Sequence, residues 1–171
     1  MPYRTRTYIA ADWTNDYDAV ERLHKWNDSE YWSLSFSDAH DLKQAYDSSL
    51  NCTIKKSLKS RLDASKTFVL IVGENTAQLT AGGCRYCDRY SGYWHTCSSG
   101  YTVDHRSYIE FECEKAIEAG IKIVVLYKSR FVDRTKCPLC LKNVGQHVPM
   151  YCTRNGNLYW NYSAVNMALN G

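Results

Sequence analysis

No apolar run in this chain is longer than a strand, and that absence excludes a helical membrane span. The first residues, Met1-Pro2-Tyr3-Arg4-Thr5-Arg6, have no apolar stretch behind them, so no secretory signal is expected and the chain is expected in the cytoplasm. Charge of one sign is scarce. The 21 Lys and Arg against 18 Asp and Glu leave +3, too little to argue for nucleic acid as a partner. The basic residues scatter, apart from Lys55-Lys56 and Lys59 with Arg61, which read as the solvated face of a helix. There is no Walker motif and no strand-Gly-x-Gly-x-x-Gly-helix fingerprint, so a dinucleotide would be met as a substrate and not as a resident cofactor. Internal repeats and low-complexity tracts are absent too.

What is present is a chain of 171 residues, rich in Tyr, of a length that suits one domain with a real core. Thr7–Ala11 reads as a first strand ending at Asp12-Trp13. Asn15-Asp16 offers a helix cap, followed by a stripe of Val20, Leu23 and Trp26. Tyr31 to Phe36 alternates as a second strand, with Trp32, Leu34 and Phe36 on one side. After a polar stretch, Thr53 caps a second helix with the stripe Ile54, Leu58 and Leu62. Thr67–Val72 is a fully buried strand closed by Gly73. A helix over about Ser107–Ala119 stops at Gly120, a favoured glycine position after a helix, and Ile121–Tyr127 is a further buried strand. Residues 128–150 read as irregular. A short strand at Leu158-Tyr159-Trp160 and a last helix after Asn161, burying Val165 and Leu169, complete the chain.

Strand, helix, strand in this order makes βαβ units, hence an open, parallel, flavodoxin-like α/β sheet with helices on both faces and right-handed crossovers. The expected strand order is second, first, third, fourth. The domain reading is a single unit over residues 1–171. It has a core at about 5–128, a Cys-rich insertion at about 77–106 and an irregular C-terminal extension at about 129–171.

Three motifs carry a resemblance: Tyr8–Asp12, the strand Phe68–Thr76 with its Gly-x-x-Thr ending, and the helix Tyr108-Ile109-x-Phe111-Glu112-Cys113-x-x-Ala116. In this order and spacing they resemble the TIR-like domains of bacterial immunity, especially the Thoeris antiphage group. In that family an aromatic residue followed by a glutamate on this helix supplies the catalytic glutamate. The resemblance therefore implies a TIR-like fold, NAD as substrate and Glu112 as the catalytic residue. Helical geometry agrees, because Ile109, Cys113, Ala116, Ile117 and Gly120 form the sheet-facing stripe with Glu112 at its edge, while Glu110 and Glu114 point outward. Desolvation at that edge would raise the pKa of Glu112. Cleavage of the nicotinamide–ribose bond passes through an oxocarbenium-like state, which a facing carboxylate stabilises.

Asp12, Trp13, Asp38 and Gly73 end strands where such sheets bind ligands. With Phe111 they make up the expected substrate-binding set. An aromatic there can stack a base, and Gly73 can admit a close backbone approach; a cap, a core Trp and an ordinary turn account for the same residues equally well. The resemblance also implies an ADP-ribose-derived product, whether free, cyclic or conjugated, that activates a separate effector protein. It further implies self-association through the polar segment Ser37–Asn51.

Eight cysteines in a reducing compartment are thiols or metal ligands rather than disulfides. Cys84-Arg85-Tyr86-Cys87 and Cys137-Pro138-Leu139-Cys140 are paired CxxC knuckles. Four of Cys84, Cys87, Cys97, Cys137 and Cys140 would hold a structural Zn²⁺, with free thiols the alternative. Two further functions compete with NAD cleavage: a non-catalytic TIR-like scaffold acting by self-association, and a small zinc-stapled nucleic-acid binder, which the weak charge disfavours.

Overall fold

A computed structural model describes residues 3–41 and 49–171. Every strand of its main sheet is parallel. The strands are β1 (Arg6–Ala10), β2 (Ser65–Val72), β5 (Lys122–Tyr127) and β6 (Gln146–Pro149), in the spatial order β1-β2-β5-β6. Two helices, α1 (Tyr17–Asp28) and α2 (Asn51–Asp63), lie between β1 and β2, and α3 (Tyr108–Glu118) leads into β5. A two-stranded ribbon of β3 (Tyr90–Ser91) and β4 (Thr96–Cys97) precedes α3. The chain ends in a hairpin of β7 (Tyr151–Arg154) and β8 (Asn157–Trp160), then α4 (Tyr162–Asn170).

A parallel strand covered on both faces must be apolar on both, and β2 is. Phe68, Leu70 and Val72 point with Tyr8, Val125 and Tyr127 toward Leu62 of α2 and Ile109, Cys113 and Ala116 of α3. Val69 and Ile71 point with Ile9, Val124 and Leu126 toward Val20, Leu23 and Trp26 of α1 and Val165 and Ala168 of α4. The expected α/β class, with helices on both faces, is therefore what the chain adopts. Among the described residues no helix is long and apolar enough to cross a membrane.

Four local expectations are corrected. Tyr31–Phe36 is not a strand. Ser33 and Ser35 take left-handed φ angles of 50° and 27°, which breaks an extended run. The amides there are used locally: Ser29 Oγ accepts from Tyr31 and Trp32, and Asn27 Oδ1 accepts from Phe36 at 2.7 Å. What remains beside β1 is a single parallel bridge, Thr7 to Asp38. Residues 128–150 are also less irregular than expected, because Gln146–Pro149 extends the sheet as β6. Thr53 lies inside α2 and does not cap it. Nor is the basic run of α2 wholly solvated, since Lys55 and Arg61 are buried. The segment Ser37–Asn51, expected to mediate self-association, falls partly on residues 42–48, outside the described residues.

Candidate active site

The first two turns of α3 carry three glutamates, and their surroundings sort them. Ser107 caps the helix by accepting from the Glu110 amide at 3.1 Å, and the Glu110 carboxylate accepts from the Ser107 amide at 2.8 Å. This reciprocal box occupies Glu110. Glu114 turns to Arg106, 2.5 Å away. Glu112, one turn from Ile109, is the glutamate of α3 left facing inward, and it is only 7% exposed.

Its carboxylate meets β1. The Tyr8 hydroxyl donates to Glu112 Oε1 at 2.5 Å, and both groups are buried. Burial pushes the Glu112 pKa up to about 7; the Tyr8 hydrogen bond and the positive Arg61 pull it down, but less. Burial and the neighbouring carboxylate hold the Tyr8 proton well above the ordinary phenol range.

Glu112 opens onto a cavity of about 570 Å³, also lined by Asp12, Trp13, His40, Leu58, Arg61 and Tyr108. That volume suits a small-molecule ligand. The residues just after β1 and Leu79 and Ala81 beyond β2 form part of the wall, so the cavity lies off the carboxyl ends of the strands, where open α/β sheets bind ligands. Ile54, Leu58 and Ile109 supply apolar wall around two carboxylates, a guanidinium and an imidazole.

Residues 8–81 match the family model for the Thoeris protein ThsB, TIR-like domain. Those residues belong to the Thoeris TIR-like family. The stretch is less than half of the chain, and it ends before α3. It includes Tyr8, Asp12, Trp13, Asp38, His40 and Arg61 but not Glu112. The match supports an antiphage TIR-like protein. No curated protein matches the chain.

The expected substrate-binding residues divide. Asp12 and Trp13 share the cavity with Glu112. Asp12 is also committed to the turn after β1, accepting from the amides of Thr14 and Asn15 and, at 2.7 Å, from the Asn15 side chain. Asp38 lies beneath His40, with its Oδ1 2.8 Å from His40 Nδ1. Gly73 does not line the cavity. A Cβ there would sit 2.1 Å from Asp16 Oδ2, so its glycine leaves room for the Asp16 carboxylate. Phe111 faces a second cavity, of about 420 Å³, with Lys55, Arg106 and Lys115. Those cations pair with Asp104, Glu114 and Glu118.

Among the described residues no group of three or more His, Cys, Asp and Glu side chains could hold a metal ion. The cysteines expected to share a zinc are engaged separately. Cys84 Sγ accepts from the Asp104 amide at 3.1 Å. Cys137 is buried in the core cluster on the α3 side, with Cys113, and Cys140 packs against that cluster. Cys87 and Cys97 stay in the segment before α3, and all eight cysteines are free.

Sequence reasoning missed Tyr8, His40 and Arg61. Tyr8 lies inside an apolar strand and reads as core. Arg61 carried a signal: it falls seven residues after Ile54 and three after Leu58, on the apolar stripe of α2. His40 had none, since it belongs to a three-residue turn, Ala39–Asp41, in a polar segment.

Proposed function

We propose that this chain is a TIR-like NAD-cleaving enzyme, of the NAD glycohydrolase or ADP-ribosyl cyclase type, acting in antiphage defence. The observation that carries the reading is Glu112: a buried carboxylate with a pKa of about 7, hydrogen-bonded by Tyr8, at the wall of a ligand-sized cavity. When the bond between ribose C1′ and the nicotinamide nitrogen breaks, its electron pair neutralises the pyridinium. Nicotinamide leaves neutral and needs no strong acid. Positive charge grows on the ribosyl carbon, and the ionised Glu112 stabilises it in a setting where apolar walls keep the dielectric low. Tyr8 holds the carboxylate in place. Arg61 gives the cavity a cation for the pyrophosphate, and Trp13, at the mouth, a ring for a base. The ADP-ribose-derived product would act on a separate effector protein.

The test is nicotinamide release from NAD by purified protein across a concentration series, which also covers assembly-dependent activity. Glu112→Gln should cut turnover by about a hundredfold or more, the usual effect of removing one preorganised electrostatic group. Glu110→Gln and Glu114→Gln, which alter a cap and an ion pair, should change it little. Equal turnover by all three variants would dismiss Glu112. A folded wild-type protein that releases no nicotinamide at any concentration, with phage lysate or without, would leave the scaffold reading instead.

A further inference from the structure

Asp38 and His40 form a dyad that the cleavage step described above does not use. Asp38 is buried at the single bridge beside β1. Its Oδ1 accepts from the His40 amide at 2.8 Å and lies 2.8 Å from His40 Nδ1, while Oδ2 lies 2.9 Å from His24 Nε2. Burial works to raise the Asp38 pKa, but the His40 hydrogen bonds and the neighbouring His24 outweigh it, and the net shift is downward. An ionised carboxylate can only accept, so in the neutral imidazole Nδ1 of His40 carries the proton and Nε2 presents a lone pair. His40 lines the Glu112 cavity, and Nε2 makes no hydrogen bond among the described residues. The imidazole packs 5.4 Å from the Tyr8 ring and 5.0 Å from that of Trp13. Tyr8 in turn holds Glu112, so Glu112 and His40 flank one tyrosine. His24 is different: it packs on Phe36 and is not part of the cavity wall.

We infer that His40, oriented by Asp38, is a second catalytic residue, the general base for the nucleophile that captures the ribosyl carbon. The inference rests on the NAD-cleaving reading. Loss of nicotinamide leaves a cationic ribosyl carbon. A hydroxyl, from water or another acceptor, forms the new C–O bond and must lose its proton. Nε2 of His40 takes that proton, and Asp38 stabilises the imidazolium that results, so atoms and charge balance with no further reactant. Glu112 is less suited to the task, because its Oε1 already accepts the Tyr8 hydrogen bond and its charge is needed opposite the ribosyl cation.

The experiment separates the two chemical steps. Wild type, His40→Ala, His40→Gln, Asp38→Asn and Glu112→Gln are each given NAD with radiolabelled free nicotinamide, and separately NAD with azide. Exchange of labelled nicotinamide into NAD requires C–N cleavage but no base, and azide attacks without a proton to lose. Both His40 variants should lose about a hundredfold in hydrolysis, the usual contribution of a positioned base. Their nicotinamide exchange and ribosyl azide formation should stay near the wild-type rates. Asp38→Asn should share this pattern in milder form, and Glu112→Gln should lose all three activities together. Hydrolysis undiminished in both His40 variants overturns the base, as does an equal fall of hydrolysis, exchange and azide capture in both, the mark of a structural role. A wild type that neither hydrolyses nor exchanges would instead remove the NAD reading, and the base with it.

Discussion

At Glu112 the folded protein holds a carboxyl where it does not ionise easily. The apolar surroundings that would strengthen its action on a cation also raise its pKa from 4.5 to about 7. Ionisation above that value is what the chemistry needs, so turnover should rise as pH passes through about 7. Stability should move the other way. Below about pH 4.5 the carboxyl is protonated whether the chain is folded or not, and contributes nothing. Between about 4.5 and 7 the unfolded chain ionises first, so wild type loses stability as pH rises, then levels off. At about 1.4 kcal/mol per pH unit the cost approaches about 3 kcal/mol. Glu112→Gln keeps an acceptor for Tyr8 and has no charge to bury. It should therefore melt higher than wild type at about pH 8 and converge with it at about pH 4. Parallel melting curves across that range would mean that Glu112 is not desolvated as described. At this scale the sequence was partly readable. Helical phase singled out Glu112, but Tyr8 and His40 matter through partners more than thirty or a hundred residues away, or through a contact two residues back in a short turn, and neither leaves a periodic trace.

The elements that could be read are those whose burial follows a period. β2 from Phe68 and β5 from Ile123 are apolar on both faces, α1 carries a clean stripe, and Asn161 caps α4 by accepting from the Ala164 amide at 3.2 Å. Tyr31–Phe36 misled because its alternation comes from a turn with one buried residue, Leu34, and not from a pleat. β6 was invisible because Gln-His-Val-Pro has no pattern of its own; only Val148 and the neighbouring Met150 reach the core. α3 joins stability to function most directly, since Glu112 lies within two turns of its cap. Ser107→Ala removes one of the two reciprocal hydrogen bonds and leaves Glu110 with half a box. It should lower stability by about 1 kcal/mol, the usual loss for a Ser cap. Hydrogen exchange should rise first in the amides of Tyr108–Glu110, while Gly120, at φ 62°, still closes the other end. Unchanged protection in that first turn would show that packing of Ile109 and Cys113 alone fixes the helix start.

For the whole molecule, the boundary suggested after about Lys128 is not where packing ends. Met150, Val165 and Ala168 belong to the same cluster as Ile9, Val69 and Val124. Trp26 of α1 packs edge-on against both Trp160 and Tyr162, with ring centroids 6.3 Å and 5.3 Å away. The β7–β8 turn, Asn155-Gly156, has φ angles of 49° and 78°, the left-handed pair that closes a two-residue hairpin. Irregular sequence there conceals a layer of the core. The ribbon of β3 and β4 is the opposite case, with Tyr93 82% and Trp94 72% exposed. These two regions should therefore respond differently to change. A chain ending at Asn161 lacks α4 and uncovers Val124, Leu126 and Val148. At about 1.5–3 kcal/mol for each large apolar side chain, that is a large share of the usual 5–15 kcal/mol of folding stability. It should be insoluble or melt without a cooperative transition. Tyr93→Ser with Trp94→Ser should leave the melting temperature of the full chain unchanged, because neither ring is buried. If the double substitution destabilised the chain as much as loss of α4, the β3–β4 ribbon would have to be packed in solution, and the division between core layer and exposed ribbon would fall.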